Sequence, residues 1–134
     1  MPDKILTFID SGVLITAARG IDTKALKAFA FLDDPDRAFV SSIFIKLELL
    51  PKATYNKQRD EEAFYNAFFA AVTVWAEPAA IVEPAFTAAC LHGLAALDSL
   101  HIAAALISGA TEFITTERSE KPLHRVKDLR IITL

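Results

Sequence analysis

Ile5-Leu6-Thr7-Phe8-Ile9-Asp10-Ser11-Gly12 is the stretch whose reading decides the fold. Five residues suited to a buried strand run into an acid, a hydroxyl and a glycine. Residues 13–18 then read as a short helix stopped by Arg19-Gly20. An apolar run ending in Asp at a helix start is how an open α/β sheet presents a reactive group, because ligands there meet the carboxyl ends of the strands. Asp10 therefore stands where a metal or a phosphate would be met. It also suits the plainer task of capping the helix that follows, as does Ser11.

Outward from this stretch, strands alternate with helices. Asp22-Thr23 opens a second helix whose Leu26, Phe29 and Ala30-Phe31-Leu32 give a broad apolar face, and Asp33-Asp34-Pro35-Asp36 breaks it. Residues 38–41 form a second strand. Ser41 or Ser42 caps a helix over 43–50 that carries Glu48, with Pro51 ending or kinking it. Residues 59–72 are strongly amphipathic, with Ala63, Phe64, Ala67, Phe68 and Ala71 as the apolar stripe. Residues 73–75 read as a third strand. Glu77-Pro78 opens a long helix to His92, with Gly93 as its stop, and a further helix covers 95–108 before Gly109. Residues 112–115 are a fourth strand, 116–125 a polar loop and 129–134 a last strand. This alternation predicts an α/β fold with three layers, α/β/α, around a central parallel sheet.

The 134 residues suit a single domain, 1–134, with one core. Hydrophobic residues make up 53% and mean hydropathy is +0.34, so with ten Phe the chain has apolar surface to spare for a partner. A net charge of −3 gives no basic field to steer nucleic acid, yet metal ions bound at an acidic site would allow RNA chemistry. The single Cys90 permits no internal disulfide, which fits a reducing, cytoplasmic compartment. Asp3 and Asp10 interrupt what a signal peptide would need, and Glu83, Pro84 and His92 break the most apolar window, 79–97, as a membrane span.

Four acids stand beside apolar elements: Asp10, Glu48, Asp98 and Glu117. A carboxylate among apolar neighbours must be paired, solvated or bound to a cation, because burying it alone is prohibitive. Few basic residues flank Asp98. Oxygen donors from separate elements suit Mg²⁺ or Mn²⁺, which hold phosphate oxygens and lower the pKa of a bound water. Each acid also has a plain reading: Asp98 as a first-turn acid, Glu48 facing solvent, Glu117 as a loop charge. His101 reads as a core histidine or one that supports an acid, and Cys90 as a buried small residue. No Cys/His cluster points to zinc and no glycine-rich loop to a nucleotide.

Taken together, four segments resemble the PIN domain family: residues 8–15 around Asp10, 41–50 with Glu48, Leu97-Asp98-Ser99-Leu100-His101-Ile102-Ala103-Ala104-Ala105, and Phe113-Ile114-Thr115-Thr116-Glu117. The resemblance implies a metal-dependent ribonuclease, often the toxin of a VapC-type toxin–antitoxin pair. Asp10, Glu48 and Asp98 match the three family acids, and Glu117 stands where the family usually has Asp. The resemblance implies that Asp10 and Asp98 hold one Mg²⁺ and that Glu48 completes its shell or orients the attacking water. Glu117 would support a weaker second metal or act through water. Ser11, Thr115 and Thr116 would hydrogen-bond the carboxylates or metal waters. Arg118 and Lys121 would contact RNA phosphates, or else form solvated pairs with Glu117 and Glu120. The altered fourth acid leaves a second reading, a catalytically degenerate scaffold that binds protein. A phosphatase of the haloacid dehalogenase type needs an acid where Gly12 stands. Two further expectations follow. Carboxyl oxygens of Asp10, Glu48 and Asp98 should lie close enough to share one cation. Leftover rings, Phe31 and Phe69 among them, should place helices 22–32 and 59–72 at a homodimer contact.

Overall fold

The computed structural model describes residues 3–134; Met1 and Pro2, the start of the expected 1–134 unit, lie outside the described residues. Strand β1 is Ile5–Ile9, followed by helices α1 (Ser11–Arg19) and α2 (Thr23–Leu32). Strand β2 (Arg37–Ser41) leads to α3 (Ile43–Tyr55) and α4 (Arg59–Ala71), and β3 (Val74–Trp75) to α5 (Pro78–His92) and α6 (Ala96–Ile107). Strand β4 (Glu112–Thr115), a 3-10 turn (Pro122–Arg125) and β5 (Arg130–Thr133) complete the chain. All neighbouring strands pair in parallel, in the order β3-β2-β1-β4-β5.

That order fixes the layers. From β1 to β2 to β3 the chain steps one way across the sheet, with α1–α2 and α3–α4 as crossovers. From β3 it returns past β2 and β1 to β4, carried by α5 and α6. Parallel crossovers are right-handed, so reversing the direction puts α5 and α6 on the face opposite α1–α4. The packing agrees: α1 touches α2, α3 and α4, whereas α5 lies against α6 and the 3-10 turn. The reversal falls between β1 and β4, where a doubly wound sheet opens a crevice at the carboxyl ends of its strands.

The central strands are buried on both faces. Phe8 and Phe113, from adjacent strands, stack at 5.1 Å between ring centres, and Ile9, Ile114 and Val40 are fully buried around them. Helix ends obey local chemistry. Asp22 Oδ1 accepts the Ala25 N–H at 3.0 Å to cap α2, and Gly93 ends α5 in the left-handed region at φ 67°.

Several local expectations change. Pro51 does not end α3, which runs on to Tyr55 with the proline on its exposed side. The loop 116–125 contains the 3-10 turn, anchored by the buried Leu123. The buried stripe of α4 is Tyr65, Phe68 and Phe69, whereas Ala63, Ala67 and Ala71 are exposed. Phe69 is therefore a core ring, and Phe31 is half-buried under the Arg37 guanidinium, 4.7 Å from the ring centre. Neither is left over for a partner. The exposed apolar surface lies instead on α5, at Val82, Phe86 and Leu91, and at Ile21, Leu26 and Phe29 around α2. Cys90 is exposed, not buried. Among the described residues no helix is long and apolar enough to cross a membrane.

Candidate active site at the sheet reversal

Asp10 follows β1 directly, and its N–H donates to the Ile114 carbonyl at 2.9 Å, which ties the end of β1 to β4. Its side chain is 7% exposed. Oδ1 accepts the Ser11 N–H at 2.9 Å and Oδ2 accepts the Thr115 hydroxyl at 2.8 Å. Burial raises its pKa above the ordinary carboxylate value. His101, Thr115 and the Ser11 amide oppose that rise, and the charge of Asp98 adds to it. Asp10 thus caps α1 and also presents a desolvated carboxyl at the crevice.

Glu48 reaches the same crevice from α3. Its Oε2 accepts the Ser11 hydroxyl at 3.1 Å, and its Oε1 lies 2.5 Å from His101 Nε2. His101, on α6, is 1% exposed and packs 5.8 Å from the Phe8 ring centre. Its Nδ1 is buried without a partner among the described residues, so the ring spends its hydrogen bonding on Glu48, with Nε2–H donating to the carboxylate. Two residues 53 apart in sequence thereby join α3 to α6 across the rim.

Asp98 is half-buried in the first turn of α6. Burial raises its pKa, and the charges of Glu117 and Glu48 raise it further against the opposing pull of His101. Asp10 feels Asp98, and Asp98 feels Glu117 and Glu48, so the four carboxylates lie within electrostatic range across one crevice.

Glu117 stands at the rim on a loop whose backbone is fastened on both sides. Its N–H donates to Thr115 Oγ1 at 3.1 Å, and its carbonyl accepts the Thr133 hydroxyl at 2.8 Å and His124 Nε2 at 3.0 Å. Thr115 therefore links the Asp10 carboxylate to the Glu117 main chain. The sequence reading missed His124 and Thr133; nothing local marks them, since their roles arise only where β5 closes beside β4. Thr116 packs its hydroxyl against Gly12. Arg118 is exposed and pairs with Glu120 at 3.0 Å, and Lys121 is exposed on the same loop.

The donor set can be tested against a divalent ion. All four groups are oxygen donors, which hard cations prefer. Among the described residues no Lys or Arg forms an ion pair with any of them; His101 alone pairs with Glu48. Asp10 and Asp98, desolvated and without a Lys or Arg partner among the described residues, fit a cation. The side chains are not, however, preset as a cage: among the described residues no three His, Cys, Asp or Glu groups stand at ligating separation. The expected sharing of one cation by Asp10, Glu48 and Asp98 is thus absent from these rotamers, in which Ser11 and His101 occupy the oxygens of Glu48.

Comparisons with known proteins agree with this fold. A search of curated proteins finds no match. The fold is similar to that of VapBC2 from Rickettsia felis bound to a DNA fragment from its promoter, with TM-score 0.72 at 13% identity over 97% of this chain and 99% of that one. It is also similar to a toxin–antitoxin complex from Klebsiella pneumoniae, with TM-score 0.71 at 19% identity over 95% and 96% of the two chains. FitAcB from Neisseria gonorrhoeae gives TM-score 0.60 at 20% identity over 95% and 96%. The PIN domain family model matches residues 7–128, which include all four acids and the reversal that gathers them, and the chain belongs to that family.

Proposed function

We propose that this chain is a Mg²⁺- or Mn²⁺-dependent endoribonuclease, the toxin of a cytoplasmic toxin–antitoxin pair. One observation supports it most: four carboxylates gather at the sheet reversal without a Lys or Arg partner. The whole-length similarity to solved toxin–antitoxin complexes supports an antitoxin partner. Asp10, Asp98, Glu48 and Glu117 would hold the ion, which when bound neutralises phosphate charge and makes a bound water acidic.

The remaining work falls to the chain itself. Thr115 and the Ser11 amide fix the Asp10 carboxylate. The Ser11 hydroxyl and His101 set the direction of Glu48, which can accept a proton from an attacking water once it turns inward. Thr133 and His124 hold the loop that carries Glu117. Arg118 and Lys121 lie on that loop within reach of RNA phosphates, where they position the strand without reading its sequence. Two copies pair through the outer face of α5. The deciding experiment is cleavage of a structured RNA with and without Mg²⁺ or Mn²⁺, by the native chain and by Asp10→Asn. Metal-dependent cleavage lost in the variant supports the nuclease; equal behaviour of the two proteins refutes it.

A second reading, a degenerate scaffold that binds protein, is favoured by the engagement of Glu48 with His101 and by the absence of a preset cage among the described residues. It predicts no cleavage and no Mn²⁺ heat in calorimetry.

A further inference from the structure

The rim that carries the acids has a second chemical feature, at its β3 flank. Trp75 is the last residue of β3 and pairs with Ser41 of β2, while Val40 of β2 pairs with Phe8 of β1. Ile9, Ser41 and Trp75 therefore form one row across the sheet, and Asp10 is the next residue beyond it. Two strand spacings put Trp75 about 10 Å from Ile9 along that edge. Trp75 is 41% exposed. Lys46, in the first turn of α3, holds its Nζ 5.2 Å from the indole ring centre and 5.5 Å from that of Phe69. Phe69 is the buried floor of this arrangement and Trp75 its open wall. Among the described residues no carboxylate pairs with Lys46. Residues two apart on a helix point to nearly opposite sides. Helix α3 thus presents Glu48 to the acid crevice and Lys46 to β3.

A part-exposed indole and an ammonium that lies over it without a carboxylate partner, level with the acids and a short run of nucleotides away, supply the aromatic surface and the cation from which single-stranded nucleic acid sites are built. A base in a duplex cannot reach such a face, whereas an unpaired one stacks on it whatever its identity. We infer that Trp75 and Lys46 form a substrate subsite: one unpaired base of an RNA strand stacks on the indole and an adjacent phosphate meets the Lys46 ammonium. The inference rests on the nuclease reading and adds where the strand runs, from the acids across the start of α3 toward β3. It also makes the subsite tolerant of sequence.

Trp75 is the chain's only Trp, so its fluorescence reports the subsite directly. The full chain carrying Asp98→Asn, with Mg²⁺, is titrated with a short single-stranded oligoadenylate RNA, and anisotropy of a fluorescein-labelled copy measures binding independently. Saturable quenching is expected with the single strand and none with a duplex made by adding oligouridylate. Trp75→Ala should weaken binding roughly 5- to 150-fold, the range that stacking of one base provides, and Trp75→Phe should recover most of it. Lys46→Gln should weaken binding and flatten its salt slope by about 0.7. Binding by anisotropy with unchanged fluorescence overturns the subsite and leaves the nuclease reading standing. So does a Trp75→Ala affinity within about two-fold of the parent. No binding by either measure overturns the subsite, and the nuclease reading is then decided by the cleavage assay on the native chain, because Asp98→Asn also removes a residue that would hold the ion. If Trp75→Ala fails to fold, the quenching result with the indole in place decides.

Discussion

At Gly12 a single hydrogen atom matters. A Cβ built there would lie 2.3 Å from Thr116 Oγ1 and 3.4 Å from Thr116 Cβ, so the start of α1 touches the loop that delivers Glu117. Gly12→Ala should cost about 1–3 kcal/mol, as overpacking does. Adding Thr116→Ala removes the clashing hydroxyl and should return most of that loss in a urea-denaturation double-mutant cycle. Asp98 makes the opposite case, a residue whose charge works against stability. Its folded-state pKa is raised above 3.8, first by burial and then by Glu117 and Glu48. Between about pH 4 and the raised value the folded chain holds a proton that the unfolded chain has released. Metal-free stability therefore falls as pH rises through that window, and the loss persists at neutral pH. Asp98→Asn should raise the metal-free Tm by a few degrees at pH 7 and give no gain near pH 4. It should also abolish most of the stabilisation by Mg²⁺, which scales with ion affinity. A large fall in Tm at pH 7 would instead make Asp98 a structural cap.

At the level of elements, strands and helices were legible because apolar runs and breakers alternate cleanly. Asp22 and Gly93 mark helix boundaries by local chemistry that no tertiary contact overrides. The facing of α4 was not legible. Phe64/Phe68 and Tyr65/Phe69 are both i,i+4 pairs, so periodicity alone offers two adjacent stripes. The structure buries the second, with Phe68 shared, because Phe69 closes on Trp75 and Phe68 on Phe39. The site divides the same way. Asp10, Glu48, Asp98 and Glu117 stood out as charges beside apolar elements, but the clamp on Glu117 depends on β5 lying beside β4. Thr133→Val removes the hydroxyl that donates to the Glu117 carbonyl while keeping the shape. It should weaken Mn²⁺ binding in calorimetry several-fold and leave the melting profile within a degree or so, since the group lies at an exposed strand end. At the other end of the sheet, Glu112 is buried and held by Arg37 at 2.9 Å, by Thr7 at 3.3 Å and by a distant Arg130. Arg37→Ala strands that carboxylate and should cost about 3–5 kcal/mol in chemical denaturation, without changing the affinity for Mn²⁺.

For the whole molecule, one reversal of strand order accounts both for where the acids meet and for what is left uncovered. Crossovers on one face are four helices that pack on one another, so the rings of α4 are used up in the core. The return crossover supplies only α5 and α6, and α5 forms the outer surface there. Of its fifteen residues Glu83 is the only formal charge beside the terminal His92, and Val82, Phe86 and Leu91 are 59%, 73% and 72% exposed. They line an open groove together with Ile102 and Leu106 of α6 and with Val126 and Asp128. A face with so few charges, Glu83 and Asp128 at its groove, meets its own copy with little like-charge repulsion, which favours a two-fold contact. The contact expected on α2 and α4 keeps its exposed Leu26 and Phe29 on α2, and α5 offers a second and more apolar face, which we propose as the dimer contact. Sedimentation at micromolar concentration should show a dimer for the native chain. Phe86→Glu places a charge in the middle of the face and should give a monomer that keeps its circular dichroism and its Mn²⁺ affinity, since α5 contributes none of the four acids. A native chain that sediments as a monomer would refute the dimer and leave the acids, and the chemistry proposed for them, untouched.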